Sequence, residues 1–398
     1  MSQKKPIFVV AMDRKRLIAM FAVTAMLVPA FTSCREEELI QKPVVTPVGP
    51  GGDNPSGPVS CLGFYLLNEG NMGSNKSTLD WFDATKDEYV RNIYGAINPD
   101  VPKELGDVGN DLQIYGSRLY AVINCSNKVE ILDAATCRRL GQVNIPNCRY
   151  IAFDGPYAYV TSYAGPVRID PEYKQIGYVA KIDTATMAVV DTVHVGFQPD
   201  GLAVAGRRLY VANSGGYMVP NYENTVSVID IPSFKLEKNI EIAINLHNII
   251  ADSRGQLWIS SRGDYYDDPS RLYCYDIAAG KVTADLDIPV SDMWLDGDCL
   301  YVVATSWSYV TMSNETKYAV VDVVERTKVQ DCFITDGTEK RIAVPYGVAV
   351  NPVTKEIYVT DARNYVNPGD IYCFTPEGKL KWTATTGDIP AHFAFRLK

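Results

Sequence analysis

Few residues in this chain are of types that break or make bonds. Three His occur in 398 residues. Two of them stand in short polar segments, Asn245-Leu246-His247-Asn248 and Pro390-Ala391-His392. There an imidazole can ligate a metal or hold a ligand, although a His in such a turn more often satisfies backbone groups. Ser214-Gly215-Gly216 lacks the strand-to-helix elbow of a nucleophilic serine, and no His accompanies a Ser or Cys motif. Asp264, Asp267 and Asp268 are close in sequence but lack the calcium-loop spacing and its closing glutamate, so they read as a solvated loop. No catalytic residue, resident metal or cofactor is expected, and binding without turnover is the expectation. What remains is aromatic. Tyr163, Tyr173, Tyr178, Tyr217, Tyr222, Tyr265, Tyr266, Trp307, Tyr309 and Tyr365 fall in five segments, 162–178, 213–225, 261–271, 305–317 and 361–370. Aromatics in loops give large amphipathic contact area at low entropic cost, which suits a flat or ring-shaped ligand or a sugar.

The elements that position these loops follow from an internal repeat. A strand of the type Leu-Tyr-Val recurs seven times, anchored at Tyr65, Tyr120, Tyr159, Tyr210, Trp258, Tyr301 and Tyr358, in steps of 39 to 57 residues. A second strand follows each anchor and, in six of the seven, ends in Asp: Asp83, Asp133, Asp183, Asp230, Asp276 and Asp322. A polar strand comes next, as at 235–242, and then an apolar one, as at 201–204 or 347–350. Four antiparallel strands per repeat predict an all-β, seven-bladed β-propeller. The stretches 64–67 and 393–397 each lack partners of their own, so the N- and C-terminal strands are expected to pair and close the ring. With strands ordered outward from the axis, the five aromatic segments join second to third strands. They share one face with the turns that lead into the inner strands, including those of His247 and His392. The expected ligand-binding set is Tyr163, Tyr217, Tyr222, Tyr265, Tyr266, Trp307, Tyr309, Tyr365, His247 and His392.

Composition supports this reading. Hydrophobic residues make up 46% and charged residues 21%, with 29 Gly, 23 Pro and 25 Tyr, a strand- and turn-rich balance. The net charge of -9 offers no basic field for phosphates, which argues against nucleic acid as a partner.

The first residues read as an address. Arg14-Lys15-Arg16 precedes an apolar run over 17–31 and Thr32-Ser33-Cys34, the pattern of a secretory signal. The run is shorter than the roughly 20 residues a spanning helix needs. Residues 1–33 are therefore expected to be a lipoprotein signal peptide, translated from Met1 or Met12, with Cys34 as the lipidated first residue of the mature chain. Arg35-Glu36-Glu37-Glu38 follows, and it is similar to the acidic export signal of Bacteroidetes lipoproteins. Residues 34–60 then form a tether, Pro- and Gly-rich over 41–59, and 61–398 the propeller. The mature chain carries no polybasic patch, so the lipid alone would join it to the membrane. Eight further Cys include Cys125 and Cys148, which fall on one face and are the expected disulfide.

Leu67-Asn68-Glu69-Gly70-Asn71 with Leu79-Asp80-Trp81-Phe82-Asp83, the closing stretches 346–352 and 356–362, and Gly387-Asp388-Ile389-Pro390-Ala391-His392-Phe393 resemble the YncE-like propeller lipoproteins of Bacteroidetes over the whole of 61–398. Some of these, the BtuG-type proteins, capture cobalamin at the cell surface and pass it to a TonB-dependent transporter. The resemblance implies an outer-membrane, outward-facing lipoprotein that captures a corrinoid and hands it to such a transporter. A glycan- or protein-binding propeller of an uptake complex is the alternative, and a propeller hydrolase or lactonase a second one.

Overall fold

Each Leu-Tyr-Val repeat forms the second strand of a blade, and its two faces are buried for a reason visible in its alternation. In Arg118–Ile123, Tyr120 and Val122 pack toward the following blade, while Leu119, Ala121 and Ile123 pack toward the preceding one. Seven apolar clusters lie between consecutive blades around the ring. A strand buried on both faces must be apolar at every position, which is why these segments read as unbroken hydrophobic runs. Two of the anchors bond through their polar ends, the Tyr65 hydroxyl donating to Ala134 O and Trp258 Nε1 to Asp252 Oδ2, whereas the Tyr159 hydroxyl is buried without a hydrogen-bond partner among the described residues.

The computed structural model describes residues 43–49, 59–101, 105–308 and 313–398. They form seven antiparallel sheets, six with four strands in sequence order and one with five. From the axis outward, blade two runs Gly109–Tyr115, Arg118–Ile123, Lys128–Asp133, Arg139–Asn144. Blades three to seven repeat this order, their inner strands being Cys148–Asp154, Pro199–Ala205, Leu246–Ala251, Asp292–Asp296 and Pro345–Val350. Blade one closes the ring. Its inner strand is the C-terminal Pro390–Leu397, paired with Cys61–Asn68, and Thr78–Asp83 and Glu88–Arg91 complete it. In the seam Phe64 faces Phe395, Tyr65 faces Ala394 and Leu66 faces Phe393.

The Asp that ends most third strands builds the next turn. Asp133 Oδ1 accepts the amides of Ala135 and Thr136, and Asp230, Asp276 and Asp322 do the same for their turns. Several inner strands turn into their partners through two residues of which the first is glycine. Gly116 and Gly206, each at φ 60°, adopt the left-handed backbone that such hairpins require.

Three expectations are corrected. Val44–Pro47, within the segment assigned as tether, pairs with Glu88–Arg91 as the fifth strand of blade one. The segment 305–317 is not a loop over most of its length. Cys299–Ser308 and Ser313–Asp322 continue as a ribbon in which Thr305 faces Thr316 and Trp307 faces Asn314. Cys125 and Cys148 are unbridged thiols. The Cys148 Sγ points inward to the carbonyls of Ile123 and Lys128, while the Cys125 Sγ meets Asn124 Oδ1. The signal segment, Cys34, Glu36 to Glu38 and Tyr309 lie outside the described residues.

Candidate functional site

The inner strands do not begin in register. In blades three, four, five and seven, the first residue pairs two positions from the next aligned pair on its partner but three positions away on its own strand. Pro199 faces Asn213 and Leu202 faces Val211; Leu246 faces Ser261 and Ile249 faces Ile259. Blades one and two carry an irregularity at the same level, between Pro390 and His392 and between Gly109 and Asp111. One extra residue unpairs the strand locally and re-aims its side chains. The residues so released include Arg149 and Tyr150, Asp200, His247 and Tyr346, while Asp111 and His392 remain paired and border the irregularities of blades two and one. Glycine is required where the neighbouring strand passes close: a Cβ on Gly201 would lie 2.6 Å from His247 O.

These residues fall into two groups. Asp200 is fully buried and sits between blades three and five. Its carboxylate accepts from Arg149 Nε (3.1 Å), Arg262 Nη1 (2.9 Å) and the Tyr163 hydroxyl (2.5 Å). Burial alone would raise its pKa, but the two guanidiniums outweigh burial and hold it at about 2. Reciprocally, the charge of Asp200 helps keep both arginines ionised despite their burial. Arg149 also lies 4.7 Å above the Tyr163 ring. Beside them His247 Nε2 shares a 2.7 Å hydrogen bond with the Tyr150 hydroxyl. Burial and the Arg262 charge push the His247 pKa well down, so this imidazole is neutral.

The second group is acidic. Glu69 accepts from the Tyr346 hydroxyl at 2.9 Å and lies 3.2 Å from His392 Nε2. Burial works against the charged form of His392, but the Glu69 hydrogen bond and charge, with Asp111 and Asp292, raise its pKa. Burial lifts Asp292 to about 6 although Val348 N–H donates to it, and lifts Asp111 as well.

Between the groups opens a cavity of about 1280 Å³. Its mouth is lined by Glu69, Arg149, Tyr150, His247, Arg262, Tyr265, Tyr266, Tyr346 and His392. Its shaft is apolar and lined by the inner strands, through residues such as Leu112, Ile151, Leu202, Met293, Val348 and Phe393. Tyr265 and Tyr266 are 63% and 82% exposed at its rim. Asp264 Oδ1 accepts the amides of Tyr266 and Asp268, so this carboxylate shapes the loop that presents both rings. Gly263, at φ 65°, allows that loop to close, because a Cβ there would fall 1.9 Å from Asp268 O.

Of the residues expected to bind, His247, His392, Tyr265 and Tyr266 line the cavity. Tyr163 lies buried behind the mouth and holds Asp200. Tyr217 packs edge-on against Tyr163, 6.4 Å between centroids, and Tyr365 against Tyr346 at 5.9 Å. Neither they nor Tyr222 are among the lining residues. Trp307 stands in the ribbon of blade six. Sequence reasoning placed the turns that lead into the inner strands on this face but singled out only His247 and His392 there, and it gave no role to Arg149, Tyr150, Asp200, Arg262 or Tyr346. A usable signal was available: aligning the apolar starts 112–114, 151–153, 202–204, 249–251 and 348–350 puts a polar or glycine pair immediately before each.

Fold and site together define a seven-bladed propeller with a ligand-sized, electrically divided cavity at one end of its axis. A family described as "Domain of unknown function (DUF5074)" matches residues 62–383, and the chain belongs to that family. No curated protein matches it. Among solved structures, it is similar to a quinonprotein alcohol dehydrogenase-like protein from Bacteroides thetaiotaomicron VPI-5482, with TM-score 0.57 and 13% identity over 84% of this chain and 78% of that one. Hydrazine synthase of Kuenenia stuttgartiensis aligns with TM-score 0.53 and 18% identity over 68% of this chain and 77% of its own. The computationally designed Ika8 protein aligns with TM-score 0.51 and 11% identity over 84% and 88%. At such identities the likeness is one of fold.

Proposed function

We propose that this chain is a lipid-anchored protein of the outer cell surface that captures a small amphipathic ligand, a corrinoid such as cobalamin first among the candidates, and passes it to a TonB-dependent transporter. The observation that carries the capture reading is the cavity. It combines a rigid apolar shaft, a polar mouth whose groups are already oriented by one another, and two exposed tyrosines at the rim. A preformed site loses little entropy when occupied, and a ring-shaped ligand can use the rim aromatics and the mouth polar groups together. The titratable groups point to binding rather than turnover, because Asp200 is committed to two arginines and Glu69 to His392 and Tyr346.

The lipid anchor rests on Ser33-Cys34 and the glutamates after it, and the corrinoid and transporter rest on the resemblance to YncE-like and BtuG-type propellers. The test is retention of radiolabelled cyanocobalamin by intact cells with and without the chain. Retention that depends on the chain and is displaced by excess cold cobalamin supports the reading. Equal retention in both strains removes the corrinoid and favours a glycan or protein partner.

A further inference from the structure

We infer that the cavity takes a ligand bearing a phosphate or carboxylate group, and that Arg149 and Arg262 form its anion subsite. This deepens the capture reading and rests on it. Both guanidiniums line the cavity, and between them they share one carboxylate, Asp200, which does not. The account of charge on this wall is therefore two cations to one anion. Each arginine meets Asp200 through a single nitrogen, Nε of Arg149 and Nη1 of Arg262. A guanidinium carries five N–H donors in a fixed fork, so each keeps donors for a second acceptor. The side chains are 17% and 28% exposed, enough to be reached from the cavity and dry enough for the charge to be little screened.

The neighbouring groups do not cancel this excess. His247 stays neutral beside Arg262, and Tyr150 holds it by a hydrogen bond instead of contributing a charge. The Arg149 fork is held on the Tyr163 ring, and the Arg262 backbone is anchored by its N–H to Asn245 O. Planar, preoriented guanidiniums match the oxygens of a carboxylate or phosphate. Glu69, Asp111 and Asp292, which also line the cavity, would repel an anion, and the remaining lining cation, Lys317, is an exposed side chain of blade six. In a chain with net charge -9, a pair of buried arginines opening onto a cavity is a local exception rather than part of a general basic field.

The experiment is titration calorimetry of the purified protein with four small aromatic probes: phenyl phosphate, benzoate, benzyl alcohol and benzylamine. The expected result is that one or both anions bind at least about tenfold more tightly than benzyl alcohol, the scale of one charge-assisted hydrogen bond. The ratio of phenyl phosphate to benzoate affinity says which anion fits. That preference should shrink with added salt, and Arg262→Gln should bring the anion-to-alcohol ratio close to one. Equal affinity for anionic and neutral probes, a preference for benzylamine, or a salt-insensitive ratio overturns the subsite and leaves the capture reading standing. Binding of none of the four overturns the subsite, and the capture reading is decided separately by titration with cobalamin. If Arg262→Gln does not fold, the salt series on the unaltered protein decides alone.

Discussion

Replacing Asp200 with Asn keeps the shape of the side chain and removes the charge that joins three blades. Two half-buried guanidiniums, from blades three and five, then lose the buried carboxylate they share. Removing one partner of a buried ion pair is destabilising by about 3–5 kcal/mol. An independent figure comes from titration. Holding the carboxyl at about 2 instead of its ordinary 3.8 is worth about 2 kcal/mol. The two bracket a loss of about 2–5 kcal/mol at neutral pH. The folded pKa lies below the unfolded one, so this stabilisation is complete above about pH 4 and fades as pH falls through about 2. Urea unfolding of both proteins across that range is the assay. The gap between them should be widest near neutrality and narrow below about pH 4. A gap under about 0.5 kcal/mol at neutral pH, or one that does not change with pH, refutes the reasoning.

Deleting residues 393–398 removes Phe393 and Phe395 from the seam with Leu66 and Phe64, and should destabilise by more than about 5 kcal/mol and promote aggregation. Unchanged melting would contradict closure through this strand. Tyr265→Ala and Tyr266→Ala should leave stability unchanged, since both rings are exposed, while at least one weakens ligand binding by about 2 kcal/mol. Tyr222→Ala, which neighbours Tyr265 and Tyr266 without lining the cavity, should weaken binding less than either in a parallel titration. Surface proteolysis of intact cells should cleave the domain, and replacing Glu36, Glu37 and Glu38 with Ala should protect it; a domain already protected before that change contradicts the outward placement.

The blades were legible because each anchor strand is buried on both faces, which writes an unbroken apolar run into the sequence, and because the Asp ending most third strands marks the turn. Closure was legible from two strands without partners. What escaped has physical causes. Residues 305–308 and 313–316 lengthen a hairpin with mostly polar residues, so the ribbon reads as a loop. Val44–Pro47 is a short edge strand whose Pro and neighbouring glycines read as a spacer. The mouth was half legible: the turns were placed on the correct face, but the bulges that turn Arg149 and Asp200 inward leave no mark in hydrophobic alternation. Aromatic counting therefore drew attention to Tyr163 and Tyr217, which buttress the site from behind.

The central claim is that the axial cavity binds its ligand and does not transform it. Titration calorimetry of the purified protein with cobalamin, followed by recovery and chromatography of the ligand, tests it most directly. The account predicts saturable heat at one site, an affinity weakened about thirtyfold by Tyr265→Ala or Tyr266→Ala, and cobalamin recovered intact. No heat and no competition up to high micromolar cobalamin would contradict the corrinoid assignment, and a converted ligand would contradict capture without chemistry.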